Sequence, residues 1–219
     1  MATAKQRRKA EPAALMSALT TEHVVLQSAL SATISEGGSR ASTYLYALSG
    51  ALVALGFCIE TTAFLPLAAT VLPAVFLLGV FTVFRLVDIA IENIQAQIHI
   101  ARIRAHYRSL GDDAAELFAP EHGRWPEGEE PSLRIGPFIG IMTTAATMVA
   151  CVNAFVAGAG ATLLAHRAGG LDLGMSVAVG AVAALALVGA FYAYQSFRIY
   201  EIDGWRENRR AAGRGPGSA

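Results

Sequence analysis

The chain has 219 residues, 54% of them hydrophobic and 16% charged, with a mean hydropathy of +0.45. Soluble domains average about 25% charged residues, so the composition argues against an ordinary water-soluble globule. Seventeen basic and seventeen acidic residues cancel, which removes any overall basic drive toward nucleic acid. The two cysteines, Cys58 and Cys151, lie in apolar runs and offer neither a disulfide framework nor zinc-type spacing.

In chain order, residues 1–12 are charged, contain proline and read as disordered. Residues 13–38 read as a cytoplasmic amphipathic helix. Thr20 or Thr21 is placed to cap a helix starting near Glu22, and Leu19, Leu26, Leu30 and Ile34 then share a face. Gly37-Gly38 is expected to break it before the first span.

From there the charges are strongly clustered. No Asp, Glu, Lys or Arg occurs between Arg40 and Glu60, Glu60 and Arg85, Arg134 and Arg167, or Asp172 and Arg198, gaps of 19, 24, 32 and 25 residues. A helix needs about 20 apolar residues to cross the hydrocarbon core. The spans are therefore expected at 41–63, 66–90, 137–164 and 174–197. Backbone groups in lipid must be satisfied internally, and the runs lack period-2 alternation, so the expected fold is all-α: an integral membrane bundle of four transmembrane helices. No signal peptide is read at the first span, and Arg7-Arg8 is followed by Ala10-Glu11-Pro12 rather than by an apolar stretch.

Basic residues set the orientation. With both termini in the cytoplasm, sixteen of the seventeen Lys and Arg residues lie inside and only Arg167 outside, a strong positive-inside bias. Tyr192, Tyr194, Tyr200 and Trp205 then cluster at the inner end of the fourth span as an aromatic belt. The outer connections reduce to about Thr61–Leu65 and His166–Gly174, so partners act from the cytoplasm or within the bilayer. The expected organisation is a first transmembrane hairpin over 39–110, a flexible cytoplasmic loop over 111–135, a second hairpin over 136–205 and a disordered tail over 206–219.

The second helix is expected to continue into the cytoplasm as far as Leu110, since Arg85–Leu110 contains neither Gly nor Pro. Arg85, Asp88, Glu92, Gln95, His99, Arg102 and His106 recur at 3-4 spacing and form one polar stripe. Val87, Ile91, Ile94, Ile98, Ala101 and Ala105 form an apolar stripe on one flank. Ala96, Ile100, Ile103, Tyr107 and Leu110 form another. Two apolar flanks need two neighbours, one from this chain and one from a second copy. The stripe reads either as a solvated face with intrahelical pairs or as the lining of a water-filled axis in an oligomer. Asp88 and Glu92, one turn apart, are too few ligands for a metal site, and His99 and His106 are about 10 Å apart along the axis.

The loop carries Glu121, Glu127, Glu129 and Glu130 with Pro120, Pro126 and Pro131. In the second hairpin, Asn153 is the one strongly polar side chain deep in a span, the usual place of interhelical glue. Gly136-x-x-x-Gly140, Ala154-x-x-x-Gly158 and Ser176-x-x-x-Gly180-x-x-x-Ala184 present small faces for close helix packing. Pro73 is expected to kink the second span, and Pro66 suits its first turn.

No catalytic, cofactor-binding or metal-binding residue is read in the chain. There are no cysteine pairs in outer loops, no paired histidines within spans, and no Gly-x-Ser-x-Gly, His-Glu-x-x-His or phosphate-loop motif. Glu60 lies near the outer end of the first helix, where it reaches the headgroups.

Fifteen of seventeen basic residues are Arg, and Ala and Gly abound, a usage of high-GC bacterial genomes. Thr21-Glu22-His23-Val24-Val25-Leu26-Gln27, Ser31–Glu36, Tyr44-Leu45, Leu52–Phe57, Arg85-Leu86-Val87 and Ile100–Tyr107 resemble a family of uncharacterised small four-span membrane proteins from such bacteria. The resemblance covers residues 20–110. It implies the topology and no activity, cofactor or site residue.

The function expected is that of a non-enzymatic, multi-pass protein of the bacterial inner membrane, oligomeric, forming or gating a pore under a cytoplasmic trigger. Its partners are the lipid bilayer, further copies of itself and a cytoplasmic protein, with no nucleic acid. The alternative is a membrane-anchored interaction module that holds a cytoplasmic or membrane partner, with a small transporter third.

Overall fold

The computed structural model describes residues 4–119, 127 and 136–213, with side chains over 13–119, 127, 136 and 138–201. Every regular element among them is helical: α1 Ala4–Cys58, α2 Phe64–Arg108, α3 Asp112–Leu117, α4 Pro137–Met142, α5 Ala145–Arg167 and α6 Leu173–Gly213. Among the described residues, four helices are long and apolar enough to cross a membrane, over Ala13–Cys58, Phe64–Arg108, Ala145–Arg167 and Leu173–Glu201. These lengths and compositions define a multi-pass membrane protein. The acidic loop residues Glu121, Glu129 and Glu130 lie outside the described residues, as do residues 214–219 of the tail.

Several boundaries differ from those expected. α1 begins at Ala4, not Ala13, and runs unbroken through Gly37-Gly38. Glycine costs about 1 kcal/mol against alanine in a helix interior, and packing offsets that cost here. Gly37 is buried, and a Cβ on it would lie 3.4 Å from Leu86 Cδ2 and 3.7 Å from Ile89, so its missing side chain lets α1 sit close against α2. Thr20 and Thr21 are not caps. Their hydroxyls donate back to the carbonyls of Met16 and Ser17 at 3.0 and 2.9 Å, as threonines in a helix interior do. The tail also departs from expectation, because α6 continues through Gly213.

The stretch expected as the third span, 137–164, is interrupted. α4 ends at Met142, and α5 starts at Ala145 with Thr144 as its N-cap, the Thr144 Oγ1 accepting from the Thr147 amide at 3.3 Å. Two adjacent threonines supply the reason. The Thr143 hydroxyl donates to the carbonyls of Ile139 and Gly140 at 3.1 Å each, and Thr144 adopts the extended backbone of a cap.

The chain forms two compact units. One comprises residues 1–36 and 92–135, the other residues 37–91 and 136–219. In the first, Met16, Leu19, His23, Leu26, Leu30 and Thr33 are the half-buried positions of α1 between 13 and 33. Their 3-4 spacing is a coiled-coil seam. Ile34, expected on that face, is exposed, and Thr33 replaces it with a hydroxyl hydrogen-bonded to Asn93 Oδ1 of α2. A seam of period 3.5 drifts from the straight-helix period of 3.6, which moves the contact from 34 to 33.

In the second unit, Tyr44, Leu48 and Ala51 of α1, Val75, Val83, Leu86 and Val87 of α2, and Ala146, Val149 and Ala150 of α5 form the core. α5 and α6 pack through small residues, as read from the sequence. Ala154, Gly158, Ser176, Gly180 and Ala184 are all buried. A Cβ on Gly158 would lie 2.8 Å from the Gly180 carbonyl oxygen. The aromatics expected to form a belt are partly packing groups. Tyr194 sits edge-on to Phe84 at 5.1 Å, and Tyr192 lies against Phe138 at 5.1 Å.

The connections between the paired helices are short and tied. The Thr61 amide bonds the Cys58 carbonyl at 2.9 Å, and the Phe64 amide bonds that of Thr61 at 3.2 Å. After α5, the amides of Ala168, Gly169 and Leu171 bond the carbonyls of Leu164 and Ala165, a closure that needs the positive φ of 65° at Gly170. Asp172 then caps α6, its carboxylate accepting from the Met175 amide at 2.8 Å.

Candidate functional site

The polar stripe divides between the two units. In the first, Glu92, Gln95, His99, Arg102 and His106 are exposed along α2. The flanks are covered in part, with Ala105 and Leu110 exposed. Ile98 and Ile103, about 140° apart around the helix at 3.6 residues per turn, are each only 6% exposed. This burial of Ile98 and Ile103 arises within a single chain. Between the flanks, Gln97, Arg104 and Arg108 are half-buried. Arg108 Nη1 donates to Glu127 Oε1 at 2.6 Å and to the Phe118 carbonyl at 3.0 Å, while Arg104 lies 3.7 Å from Glu127 Oε2. The Glu127 side chain is 6% exposed. Tyr107 packs its ring on Phe118 at 5.2 Å.

In the second unit, Asp88 pairs with Arg198 of α6 at 3.1 Å, and Arg198 also reaches Glu201 at 3.0 Å. Asp88 is thus engaged inside the chain. Arg85 and Glu92 also have interaction partners.

Two buried polar clusters lie among the spanning helices of this unit. The first is centred on Asn153, fully buried on α5. Its Nδ2 donates to the Phe76 carbonyl of α2 at 3.1 Å, and its Oδ1 accepts from the Tyr44 hydroxyl of α1 at 3.2 Å. Gly79 makes room for it: a Cβ there would overlap the Asn153 side chain. Asn153 therefore ties three helices together, as interhelical glue. Tyr44 was not legible as its partner, because a tyrosine one residue before leucine in an apolar run carries no sign of its facing group.

The second cluster sits at the α4–α5 break. Gln195 of α6 donates from Nε2 to Thr144 Oγ1 at 2.8 Å and accepts at Oε1 from the Thr147 hydroxyl at 2.9 Å. Both threonine hydroxyls also lie within reach of the Ile141 carbonyl, at 3.0 and 2.8 Å. Thr147 and Gln195 are buried. Sequence reasoning missed this cluster by treating Asn153 as the one strongly polar group in a span. Gln195, the lone amide of the fourth span, was the available signal.

Among the described residues no group of three or more His, Cys, Asp or Glu side chains is placed to hold a metal ion. The arrangement offers hydrogen bonding, helix pairing and one exposed polar face. No known family model matches the chain, and no curated protein or solved structure matches it either.

Proposed function

We propose that this chain is a non-enzymatic, membrane-anchored interaction module of a bacterial cytoplasmic membrane. Both termini lie in the cytoplasm, and α2 continues past the bilayer to present its polar face to a protein partner. The four spanning helices form a bundle that serves as the anchor. One observation carries the reading: Gln95, His99, Arg102 and His106 are exposed along one face of the helix, while Ile98 and Ile103 on its flanks are buried in the same chain. A rigid helix whose polar side chains already stand on a fixed backbone loses little entropy on docking. The sixteen-to-one distribution of basic residues supports the orientation.

The test is photocrosslinking in cells with a reactive residue placed in turn at 95, 98, 99, 102 and 106. A discrete adduct is expected from 95, 99, 102 and 106 and none from the buried position 98. No adduct at any of the four exposed positions removes the reading.

A second reading, an oligomer whose polar stripes line a pore, keeps one supporting observation, the exposure of this face on a helix that also spans. Ion flux through liposomes containing the purified protein tests it. Asp88→Asn with Glu92→Gln is expected to lower cation preference if the stripe lines the path.

A further inference from the structure

We infer that the break between α4 and α5 is a two-state latch, closed by Gln195 of α6 and able to open without unfolding the joint. The inference rests on counting protons in the cluster. Each threonine hydroxyl has one proton and two lone pairs, and the glutamine amide has two protons on nitrogen and none on oxygen. In the closed state the Thr147 hydroxyl donates to Gln195 Oε1, the Gln195 amide donates to Thr144 Oγ1, and the Thr144 hydroxyl donates to the Ile141 carbonyl. Both threonine protons, the Gln195 carbonyl oxygen and one of the two Gln195 amide protons are paired in this ring.

The same groups close a second ring that leaves Gln195 out. The Thr147 hydroxyl rotates to the Ile141 carbonyl, already 2.8 Å away, and the Thr144 hydroxyl turns to Thr147 Oγ1 at 3.1 Å. The Thr147 amide stays on Thr144 Oγ1, and the Thr144 amide stays on the Ile141 carbonyl at 3.2 Å. Two hydroxyl rotations exchange the rings, with no helical hydrogen bond broken. The only group released is the Gln195 amide. It lies three residues from Arg198 and six from Glu201, at the polar end of the candidate span, where water can take it up.

An ordinary buried amide makes its neighbours depend on it, because its loss strands their polar atoms. Here the neighbours hold a ready substitute, so α6 can separate from the joint while α5 keeps its cap. Such an element, with two discrete and similarly satisfied arrangements, is what a conformational switch requires.

The test compares three chains in detergent or bilayer: the parent, Gln195→Leu, and Thr144→Val with Thr147→Val. Two readouts are used. Hydrogen exchange is followed at the amides of 144–147. The distance between spin labels at Ile139 and Ala193 is measured with Cys58 and Cys151 replaced by alanine. For Gln195→Leu, exchange at the joint is expected to stay within twofold of the parent while the 139–193 distance distribution broadens or lengthens. For the double valine variant, exchange is expected to rise at least tenfold. If Gln195→Leu raises exchange as much as the double variant, the amide is an obligatory cap and the latch is disproved. An unchanged 139–193 distribution in Gln195→Leu also disproves it, since α6 is then held by other contacts.

Discussion

Asn153 is a single side chain whose environment decides its role. In a span, an interhelical hydrogen bond averages about 0.6 kcal/mol and reaches about 1.7 kcal/mol. A double-mutant cycle of Asn153→Leu with Tyr44→Phe is expected to give a coupling in that range, measured by reversible unfolding in mixed micelles. Zero coupling means the 3.2 Å contact contributes nothing. Glycines give a sharper contrast. Gly79→Ala drives a methyl into the Asn153 amide, whereas Gly50 has nothing within 4 Å of an added Cβ. Gly79→Ala is expected to cost about 1–3 kcal/mol, the usual range for overpacking, and Gly50→Ala to be neutral or slightly stabilising. His23 makes the opposite case. Its Nδ1 is buried in the α1 seam without a hydrogen-bond partner. Since an unmet polar atom costs about 1–3 kcal/mol, His23→Leu is expected to raise the melting temperature, and a fall contradicts the seam assignment.

Helices were more legible than their ends. Charge-free runs located all four spanning helices, because a long apolar run has few other fates. Caps and breaks were misjudged for a common reason: Gly and Thr weigh against a helix locally, and tertiary contacts decide otherwise. Gly37 stays helical because Leu86 and Ile89 fill the space beside it, while Thr143 and Thr144 interrupt a helix through their own hydroxyls, with Thr144 capping α5. Leu86 and Ile89 are distant in sequence from Gly37, so its outcome could not be read from the local residues. On α2 the exposed positions Glu92, Gln95, His99, Arg102 and His106 follow the 3-4 spacing, while Arg85 and Asp88 are half-buried. The half-burial of Arg104 and Arg108 was not foreseen, since it depends on Glu127 nineteen residues beyond Arg108. At this scale the expectation is that Ile98→Asp and Ile103→Asp each lower the melting temperature strongly, by stranding a carboxylate. Gln95→Glu on the exposed face is expected to leave it within a degree or two. Equal tolerance at all three removes the two-sided packing of α2.

For the whole molecule, composition alone separated a membrane protein from a soluble one, and the proposed orientation rests on the positive-inside bias. Reporter fusions at residue 115 and after residue 219 are both expected to read cytoplasmic. An external reading at either site reverses the proposed topology and with it the access of any cytoplasmic protein to α2.

In the proposed topology the two tight connections, residues 59–63 and 168–172, share the outer face, which bears on how the protein looks to enzymes there. Cleavage by a protease requires a stretch of chain that can be drawn out and threaded through a cleft, and nicking concentrates at loop tips free to do so. Here the amides of Thr61, Ala168, Gly169 and Leu171 are already bonded to carbonyls at the ends of α1 and α5, and the Phe64 amide to the Thr61 carbonyl. Protease applied to that face of sealed vesicles should leave the chain at full length. The molecule would then be invisible to surface digestion, and an intact band after such treatment reports a tied backbone, not a failure to reach the membrane.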